Sequence, residues 1–316
     1  MRTTLRPLGI GEMLDRAVTL SVRNFIPFAL IWVAFSIPVA VLGYYATSGS
    51  QRVLSLILDP LARGQKPPDA ETIARLLNAT PTHPLLSVLY FAVAVFGAPL
   101  ATAALRWAMS GLYLEGRAPT FGAAYRAGVR LWPAMLLILL IYIVAGFVGT
   151  FVLLLAAIPA LLLIALLSVV QAIVAIVVGI ALYVAILLAV IAAAVMVGLA
   201  YQTSCFTEVV ERVGPIRAVL SGFARVFGAA WRRSIVTGLA LGACYIGFLV
   251  IVLVGQSVSL GVLHSQAVSI ALSVVFGLLL QVYVAAVTCL YYFDLRVRSE
   301  GLDLQLAIAA AGQPAP

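Results

Sequence analysis

Long apolar stretches alternate with short charged ones along this chain. Four of the apolar stretches contain no Lys, Arg, Asp or Glu, and they are residues 24–51, 76–105, 131–207 and 234–293. Their lengths are 28, 30, 77 and 60 residues. A helix needs about 20 apolar residues to cross the hydrocarbon core of a bilayer. The pattern therefore predicts one, one, two and two crossings, which makes six transmembrane helices.

The apolar segments within these stretches give the positions of the spans. We expect them at about 25–46, 84–108, 132–160, 170–205, 234–256 and 266–292. The turn between the third and fourth spans is left open between Pro159 and the region 168–171, because either one divides the 77-residue stretch in two. Both choices leave at least one helix longer than the bilayer is thick, which implies tilt or an extension beyond the membrane.

Residues 47–83 are the one long connection on the outer side, and we expect them to form an external helical loop. A short helix is predicted at 51–59 and is expected to end at Pro60. A second helix is predicted after the Pro-Pro-Asp sequence of this loop. On that second helix Glu71 and Arg75 are four residues apart, the spacing of an ion pair on a helix surface.

Each predicted pair of spans follows an amphipathic stretch with arginine on its polar face. In residues 215–233 the apolar positions recur at helical spacing, and Pro215 suits the first turn, where its missing N–H costs no hydrogen bond. Residues 8–25 have a similar pattern, and residues 120–132 begin at a candidate Thr120 cap. The apolar face of 215–233 consists of Ile216, Val219, Leu220, Phe223, Val226, Phe227 and Trp231. Helices of this kind lie in the headgroup layer of a membrane.

These elements predict an all-α polytopic membrane protein with six transmembrane helices in three hairpins, each preceded by a cytoplasmic amphipathic helix. Composition agrees, because 64% of the residues are hydrophobic and only 9% are charged. Ordinary soluble domains are about 25% charged. The 316 residues are expected to form a single integral membrane domain, since no polar stretch is long enough to bury a core of its own.

The distribution of arginine predicts the orientation in the membrane. With six spans, 15 arginines fall on the side of the N-terminus and four Lys and Arg on the other side. The positive-inside rule then places both termini in the cytoplasm, with residues 295–316 as a cytoplasmic tail. The expected location is the cell (inner) membrane of a bacterium. The net charge of +8 follows from this topology, and nucleic acid is not expected as a partner.

The amphipathic stretches supply candidates for binding a protein partner or the anionic lipids of the cytoplasmic leaflet. They are Arg16, Arg23, Arg126, Arg130, Arg217, Arg225, Arg232 and Arg233. Glu12 and Glu208 each precede an arginine by four residues, which predicts ordinary helical ion pairs. Gly238 and Gly242 form a pair of small residues in the fifth span, typical of helix packing within one chain or of a homodimer interface.

We find no candidate for a catalytic, cofactor or metal site. Hydrolysis of a phosphodiester would need paired carboxylates with a metal or a histidine base in one cleft. The only histidines, His83 and His264, are both expected at the outer face, without nearby carboxylates. No ionisable residue is expected at mid-membrane depth, which disfavours coupling to protons or sodium. The sequence therefore predicts no enzymatic activity and no cofactor.

Three segments of the chain resemble the bacterial and archaeal glycerophosphoryl diester phosphodiesterase membrane-domain family; they are RPLGIGEMLDRAVTLSVRNF, TEVVERVGPIRAVLSGFARVFGAAWRR and YYFDLRVRSEGLDL. The residues that match the motifs of the family are Glu208, Gly214, Pro215, Asp294, Leu295, Arg296 and Arg298. Multidomain members combine such a membrane part with a separate catalytic domain, for which the 15 residues after Gly301 leave no room. The resemblance implies a membrane architecture without enzymatic activity.

Two functions are compatible with these observations. The first is a non-catalytic integral membrane protein that scaffolds or regulates an envelope or lipid-related partner. The alternative is a permease or lipid-translocating subunit without ion coupling of its own. The absence of charged residues inside the spans argues against a coupled carrier, but it does not separate these two functions.

Overall fold

The computed structural model describes residues 6–62, 69–79, 84–116, 119–228, 230–261 and 266–302. The helices in this part of the chain are α1 (Ile10–Arg23), α2 (Phe25–Ala62), α3 (Ala70–Ala79), α4 (Pro84–Glu115), α5 (Phe121–Val170), α6 (Ala172–Glu211), α7 (Pro215–Phe227), α8 (Trp231–Gly261) and α9 (Gln266–Glu300). Six of them, namely α2, α4, α5, α6, α8 and α9, are long and apolar enough to cross a membrane. The prediction of an all-α protein with six transmembrane helices is confirmed.

Helix α2 differs from the prediction because it does not end with the first span. It continues through residues 51–59 and Pro60 to Ala62, so the prediction of a separate short helix there is wrong. At a rise of about 1.5 Å per residue, its 38 residues exceed the roughly 30 Å of a hydrocarbon core. The second predicted helix of this region is present as α3, where Arg75 Nη2 lies 2.5 Å from Glu71 Oε1.

Helix α5 contains the third amphipathic stretch, so that 120–132 is the first part of a 50-residue helix and not a separate element. The expected cap is confirmed, because the Ala123 N–H donates to Thr120 Oγ1 at 3.4 Å. The helix continues through Pro133 and Pro159. One proline removes a single backbone hydrogen bond, whereas ending the helix in an apolar environment would expose several unpaired backbone groups.

The break between the third and fourth spans lies at Gln171, the second of the two alternatives. Its backbone is extended, with φ −158° and ψ 111°, and α6 begins at the next residue. The helix before it therefore continues ten residues beyond the expected end at residue 160. Likewise α9 runs to Glu300, so that the first residues of the expected tail continue the last helix. Residues 303–316 and both histidines, His83 and His264, lie outside the described residues.

The packed core lies at one end of the bundle. Its largest fully buried side chains include Phe28 of α2, Met109 of α4, Phe206 of α6 and Tyr291 and Tyr292 of α9. These residues lie near the start of α2 and near the ends of α4, α6 and α9, which an antiparallel arrangement of hairpins brings together. At the opposite end the helices present apolar side chains outward, as a surface in contact with lipid does. The arginine-rich segments belong to the packed end.

Candidate functional site: an arginine-rich layer at the packed end

Helix α7 packs on the end of α6 through a face of small side chains. Its buried residues are Ala218, Gly222 and Val226. A Cβ atom at Gly222 would lie 2.8 Å from the Ser204 backbone nitrogen and 3.0 Å from the Ala200 carbonyl oxygen. Only glycine permits this approach, so the close contact selects which face of α7 points inward.

The large apolar residues of α7 lie on its outer side. Ile216 and Leu220 are 63% and 65% exposed, and Trp231, which follows α7, is 47% exposed. Phe223 and Phe227 stack on each other at 4.7 Å between ring centroids and are also partly exposed. This face of α7 therefore points away from α6, because bulky side chains do not fit against the α6 backbone at Ser204. The position of α7 in the headgroup layer stays a prediction.

The entry into α7 matches the expected Gly-Pro signal. Gly214 has φ +91°, a conformation that L side chains rarely adopt, and Pro215 occupies the first helical turn. Immediately before it, Arg212 ends α6 in the left-handed conformation, and its N–H donates to the Glu208 carbonyl at 3.1 Å. This backbone turn takes Arg212 out of helical register, and no Glu208–Arg212 ion pair forms among the described residues. The prediction of an ordinary helical pair there is wrong.

Arg225 connects α7 to the ends of α6 and α9. Its Nη1 and Nη2 donate to the two carboxylate oxygens of Glu211 at 2.8 and 3.2 Å, and Nη2 also donates to Glu300 Oε1 at 2.6 Å. Thr207 Oγ1 accepts a further bond from Nη1 at 2.9 Å. Burial alone lowers the pKa of the guanidinium, yet the hydrogen bonds to Glu211 raise that pKa above its usual value. Arg225 is thus a permanently charged connection between three helices.

The same network extends along α9. The Tyr292 hydroxyl donates to Glu211 Oε1 at 2.5 Å, and Arg296 Nε donates to Glu300 Oε2 at 2.8 Å. The guanidinium groups of Arg225 and Arg296 lie 5.6 and 5.9 Å from the centre of the Tyr292 ring, within the range of a cation–π interaction. Two arginines therefore face two carboxylates around one aromatic ring.

A second network holds the N-terminal segment through Asp294. The buried carboxylate of Asp294 accepts the Leu8 N–H at 2.7 Å and two bonds from Arg298 Nε at 3.2 and 3.1 Å. Arg233 Nε lies 2.8 Å from Asp294 Oδ2. The Leu8 carbonyl in turn accepts from Arg233 Nη2 at 2.6 Å and from Arg298 Nη2 at 3.0 Å. These contacts join residues from three distant parts of the sequence, and we call this network the Asp294 clamp. Its members are Leu8, Arg233, Asp294 and Arg298.

These two networks correct the expected surface positions of Arg225 and Arg233. Their side chains are only 13% and 18% exposed, because each one is held by a carboxylate of α6 or α9. Arg16 pairs with Glu12 at 2.8 Å, as predicted for the first amphipathic stretch. The periodicity of a single helix assigns such residues to a polar face, but it does not reveal which element covers that face.

Other arginines of this layer are exposed and make no ion pair within the part of the chain that the structure describes. They are Arg23, Arg126, Arg130, Arg212, Arg217 and Arg232. Arg232 lies 5.4 Å from the centre of the Trp231 ring. Their donors are available to an anion outside the protein, and a guanidinium matches the geometry of a phosphate group.

Two cavities of this layer are each lined by several arginines. The larger has about 580 Å³ and is lined by Ser221 and by four arginines, Arg225, Arg232, Arg233 and Arg298. The second has about 420 Å³ and lies between α4, α5 and α6, and we call it the Glu208 cavity. Its lining includes Trp107, Arg126, Arg130, Glu208 and Arg212. Three of the four arginines of the larger cavity are paired with carboxylates, whereas the arginines of the Glu208 cavity form no ion pair among the described residues. An anionic ligand therefore suits the Glu208 cavity better.

Arg106 is a buried cation that the sequence assigned only to the edge of a span. It is 5% exposed, it donates through Nη2 to Gln202 Oε1, and its Nε and Nη1 have no hydrogen-bond partner. Its guanidinium lies 5.7 Å from the Tyr201 ring and 5.6 Å from the Phe206 ring. In the sequence, Arg106 is marked only by its position at the end of the charge-free stretch 76–105. That position is equally compatible with a surface and with a buried side chain.

The small residues of the fifth span pack within the chain. A Cβ atom at Gly238 would lie 3.1 Å from Leu199 Cδ1 of α6, and Gly242 faces Val195 of the same helix. The prediction of packing inside the monomer is therefore confirmed for Gly238. Within the described ranges, His, Cys, Asp and Glu form no group that could hold a metal ion.

No family model, no curated protein and no solved structure matches this chain. The family resemblance of the three sequence segments therefore stays a prediction. The residues that carry it occupy defined positions at the packed end: Gly214 and Pro215 start α7, Glu208 lines a cavity, and Asp294 is the centre of its clamp.

Proposed function

We propose that this protein is a non-catalytic integral membrane protein whose arginine-rich end binds anionic lipid headgroups and scaffolds or regulates a lipid-related partner at the cytoplasmic face. The observation that carries the proposal is the two-sided arrangement of α7. Its inner face is held by Gly222 and Arg225, while its outer face exposes Ile216 and Leu220. An apolar face outside, beside unpaired arginines, is the pattern of a helix lying in the headgroup layer.

The size of the electrostatic attraction between arginine and an anionic membrane supports this arrangement. An arginine near an anionic membrane surface contributes about 1 kcal/mol of attraction, and the unpaired arginines of the layer act together. The paired arginines add little to that attraction, because Glu211, Glu300 and Asp294 neutralise them locally. The structural and the lipid-facing arginines are therefore different residues. This division lets one end of the bundle be both tightly packed and positively charged.

The cytoplasmic orientation is part of the proposal and rests on the excess of arginine at this end. A lipid-translocating subunit is the second candidate function. It is favoured by a cavity of about 520 Å³ between α6, α8 and α9, lined by small residues such as Gly198, Gly238 and Gly242 and by the polar Gln202 and Thr288. Scrambling of a labelled lipid by proteoliposomes, above the rate of protein-free vesicles, would favour this second function over the scaffold.

The test of headgroup binding uses the full chain in nanodiscs of phosphatidylcholine mixed with phosphatidylglycerol. The lipids retained by the protein after extraction are quantified for the wild type and for the double variant Arg217→Gln, Arg232→Gln. We expect the wild type to enrich phosphatidylglycerol, and the double variant and high salt each to reduce that enrichment. Arg75→Gln, on α3 away from this layer, is the matched control. Equal enrichment in the double variant and the wild type would contradict the proposal.

A further inference from the structure

The Glu208 cavity combines positive charge with one buried, incompletely bonded carboxylate. Its volume of about 420 Å³ falls within the roughly 300–1,000 Å³ of small-molecule sites. Helix α5 contributes Arg126 and Arg130, α6 contributes Glu208 and Arg212, and α4 contributes Trp107. The cavity lies in the arginine-rich layer, at the depth where lipid headgroups meet a transmembrane bundle.

The three arginines of this cavity form no ion pair within the described residues. Each guanidinium is a donor that cannot accept a hydrogen bond, and together they form a site for an anion with several acceptor oxygens. Phosphate fits this requirement better than a carboxylate, because its oxygens can serve more than one guanidinium at a time. Arg126 and Arg130 are exposed, so their side chains are free to rotate and admit a ligand.

The Glu208 carboxylate accepts a hydrogen bond from the Gly214 backbone and lies close enough to Arg212 to interact with its charge, but one of its oxygens remains without a partner. The residue is 6% exposed, and its Oε2 atom is buried without a hydrogen-bond partner. A buried carboxylate oxygen without a partner is costly, and a donor that carries positive charge compensates it best. No Glu208 ion pair with Arg126, Arg130 or Arg212 forms in the described structure, although all four line the same cavity.

We propose that the Glu208 cavity binds a phosphoethanolamine headgroup, with the phosphate held by Arg126, Arg130 and Arg212 and the ammonium held by Glu208. One ligand then supplies an anion to the arginines and a cationic donor to the carboxylate. The chemistry is shared by phosphatidylethanolamine in the membrane and by free phosphoethanolamine. Phosphocholine has the same charges, but its quaternary ammonium has no N–H to donate, and it serves as the discriminating analogue.

This inference is separate from the proposed attraction of the layer to anionic lipid. That attraction requires only net positive charge, so it favours phosphatidylglycerol and gives Glu208 no role. The phosphoethanolamine headgroup of the lipid has no net charge at neutral pH, and its preference over the phosphocholine headgroup depends on the carboxylate alone. Absence of phosphatidylglycerol enrichment would contradict the proposed attraction, whereas absence of a preference for phosphoethanolamine over phosphocholine would contradict this inference.

The experiment measures retention of phosphatidylethanolamine against phosphatidylcholine by the full chain, from nanodiscs that contain equal amounts of both. We expect a preference of about tenfold for phosphatidylethanolamine in the wild type, the size of one hydrogen bond between charged groups. Glu208→Gln removes the charge but keeps one acceptor oxygen, so we expect it to reduce the preference several-fold and to retain the phosphate interaction. The double variant Arg126→Gln, Arg130→Gln is expected to lose retention of both lipids at this site. Glu71→Gln, an exposed carboxylate on α3, is the matched control.

A wild type that retains the two lipids equally would overturn the proposal, and so would a Glu208→Gln protein that keeps the full preference. If Glu208→Gln does not fold, the wild-type preference and the double arginine variant decide the question. Competition with soluble phosphoethanolamine and with soluble phosphocholine identifies the source of the ligand. Selective displacement by phosphoethanolamine indicates that the headgroup alone is recognised, whereas preference without displacement assigns the site to the intact lipid.

Discussion

The two ends of the bundle are built on different principles. At the packed end, small residues and ion pairs hold the helices and the N-terminal segment together, as Gly222, Arg225 and Asp294 illustrate. At the opposite end, Phe147 is 74% exposed and Leu85 is 84% exposed, with side chains directed away from the bundle. Among the described residues, the buried hydrophobic core lies at the packed end.

The physical reason for the contrast lies in the solvent. Lipid tails are as apolar as leucine, so burying an apolar side chain between membrane helices gains little over leaving it in lipid. Close approach of small residues and hydrogen bonds between helices then carry the packing. Among the described residues, the ion pairs that join different helices lie at the packed end, and the core forms there as well.

The largest expected effect comes from removing the centre of the clamp by Asp294→Ala. Arg233 and Arg298 would lose their carboxylate while still partly buried. We expect a loss of about 3–5 kcal/mol in the free energy of unfolding in detergent micelles, measured by denaturant titration. Faster proteolysis of the segment around Leu8 should accompany it, since that segment is held by the clamp. The matched control Asp15→Ala changes an exposed carboxylate on α1, and equal effects of both changes would contradict the contrast.

A smaller effect is expected for Gly222→Val, which introduces a branched side chain against the α6 backbone. Overpacking of this kind typically costs about 1–3 kcal/mol. The added side chain would meet the Ser204 backbone, which cannot move aside as a flexible side chain could. Gly149→Val is the control, because no atom lies within 4 Å of a Cβ atom placed there. Thermal unfolding of the two variants is compared, and equal midpoints would show that α7 is not packed on α6 as described.

Glu211→Gln tests the network around Arg225 at a lower magnitude. The amide retains the shape and one acceptor oxygen but removes the charge that two arginines share. We expect a loss of about 1–2 kcal/mol in the free energy of unfolding, because Glu300 still contacts both arginines. Glu71→Gln serves as the exposed control and is expected to change stability by less than about 0.5 kcal/mol.

The smallest effect is expected at the opposite end. Phe147→Ala removes a large side chain that is 74% exposed, and we expect a change within about 0.5 kcal/mol in the free energy of unfolding. The contrast is sharpened by Tyr142→Ala on the same helix, a buried position whose hydroxyl lies 3.0 Å from Ser204 Oγ. A loss for Phe147→Ala as large as that for Tyr142→Ala would mean that the exposed end has a core as well.

The sequence by itself determined the number of spans and several local contacts. The six spans follow from the composition of continuous segments. The local contacts depend on residues within a few positions of each other, and they are the Thr120 cap, the Gly214–Pro215 entry into α7 and the pair of Glu12 with Arg16. Transfer of a segment into a bilayer is close to a sum over its residues, so composition and order suffice for it. Capping and helical ion pairs depend on fixed spacing along one helix.

Only the tertiary structure decided which arginines are paired and which face of α7 points inward. Arg225 is hydrogen-bonded to Glu300, which lies 75 residues later in the sequence. Asp294 is hydrogen-bonded to Leu8, which lies 286 residues earlier. A helical period identifies two faces of a helix, but the face that packs is chosen by the neighbour it meets. In this protein the neighbour is the α6 backbone at Ser204, which admits Gly222 and excludes the bulky apolar residues because they require more space.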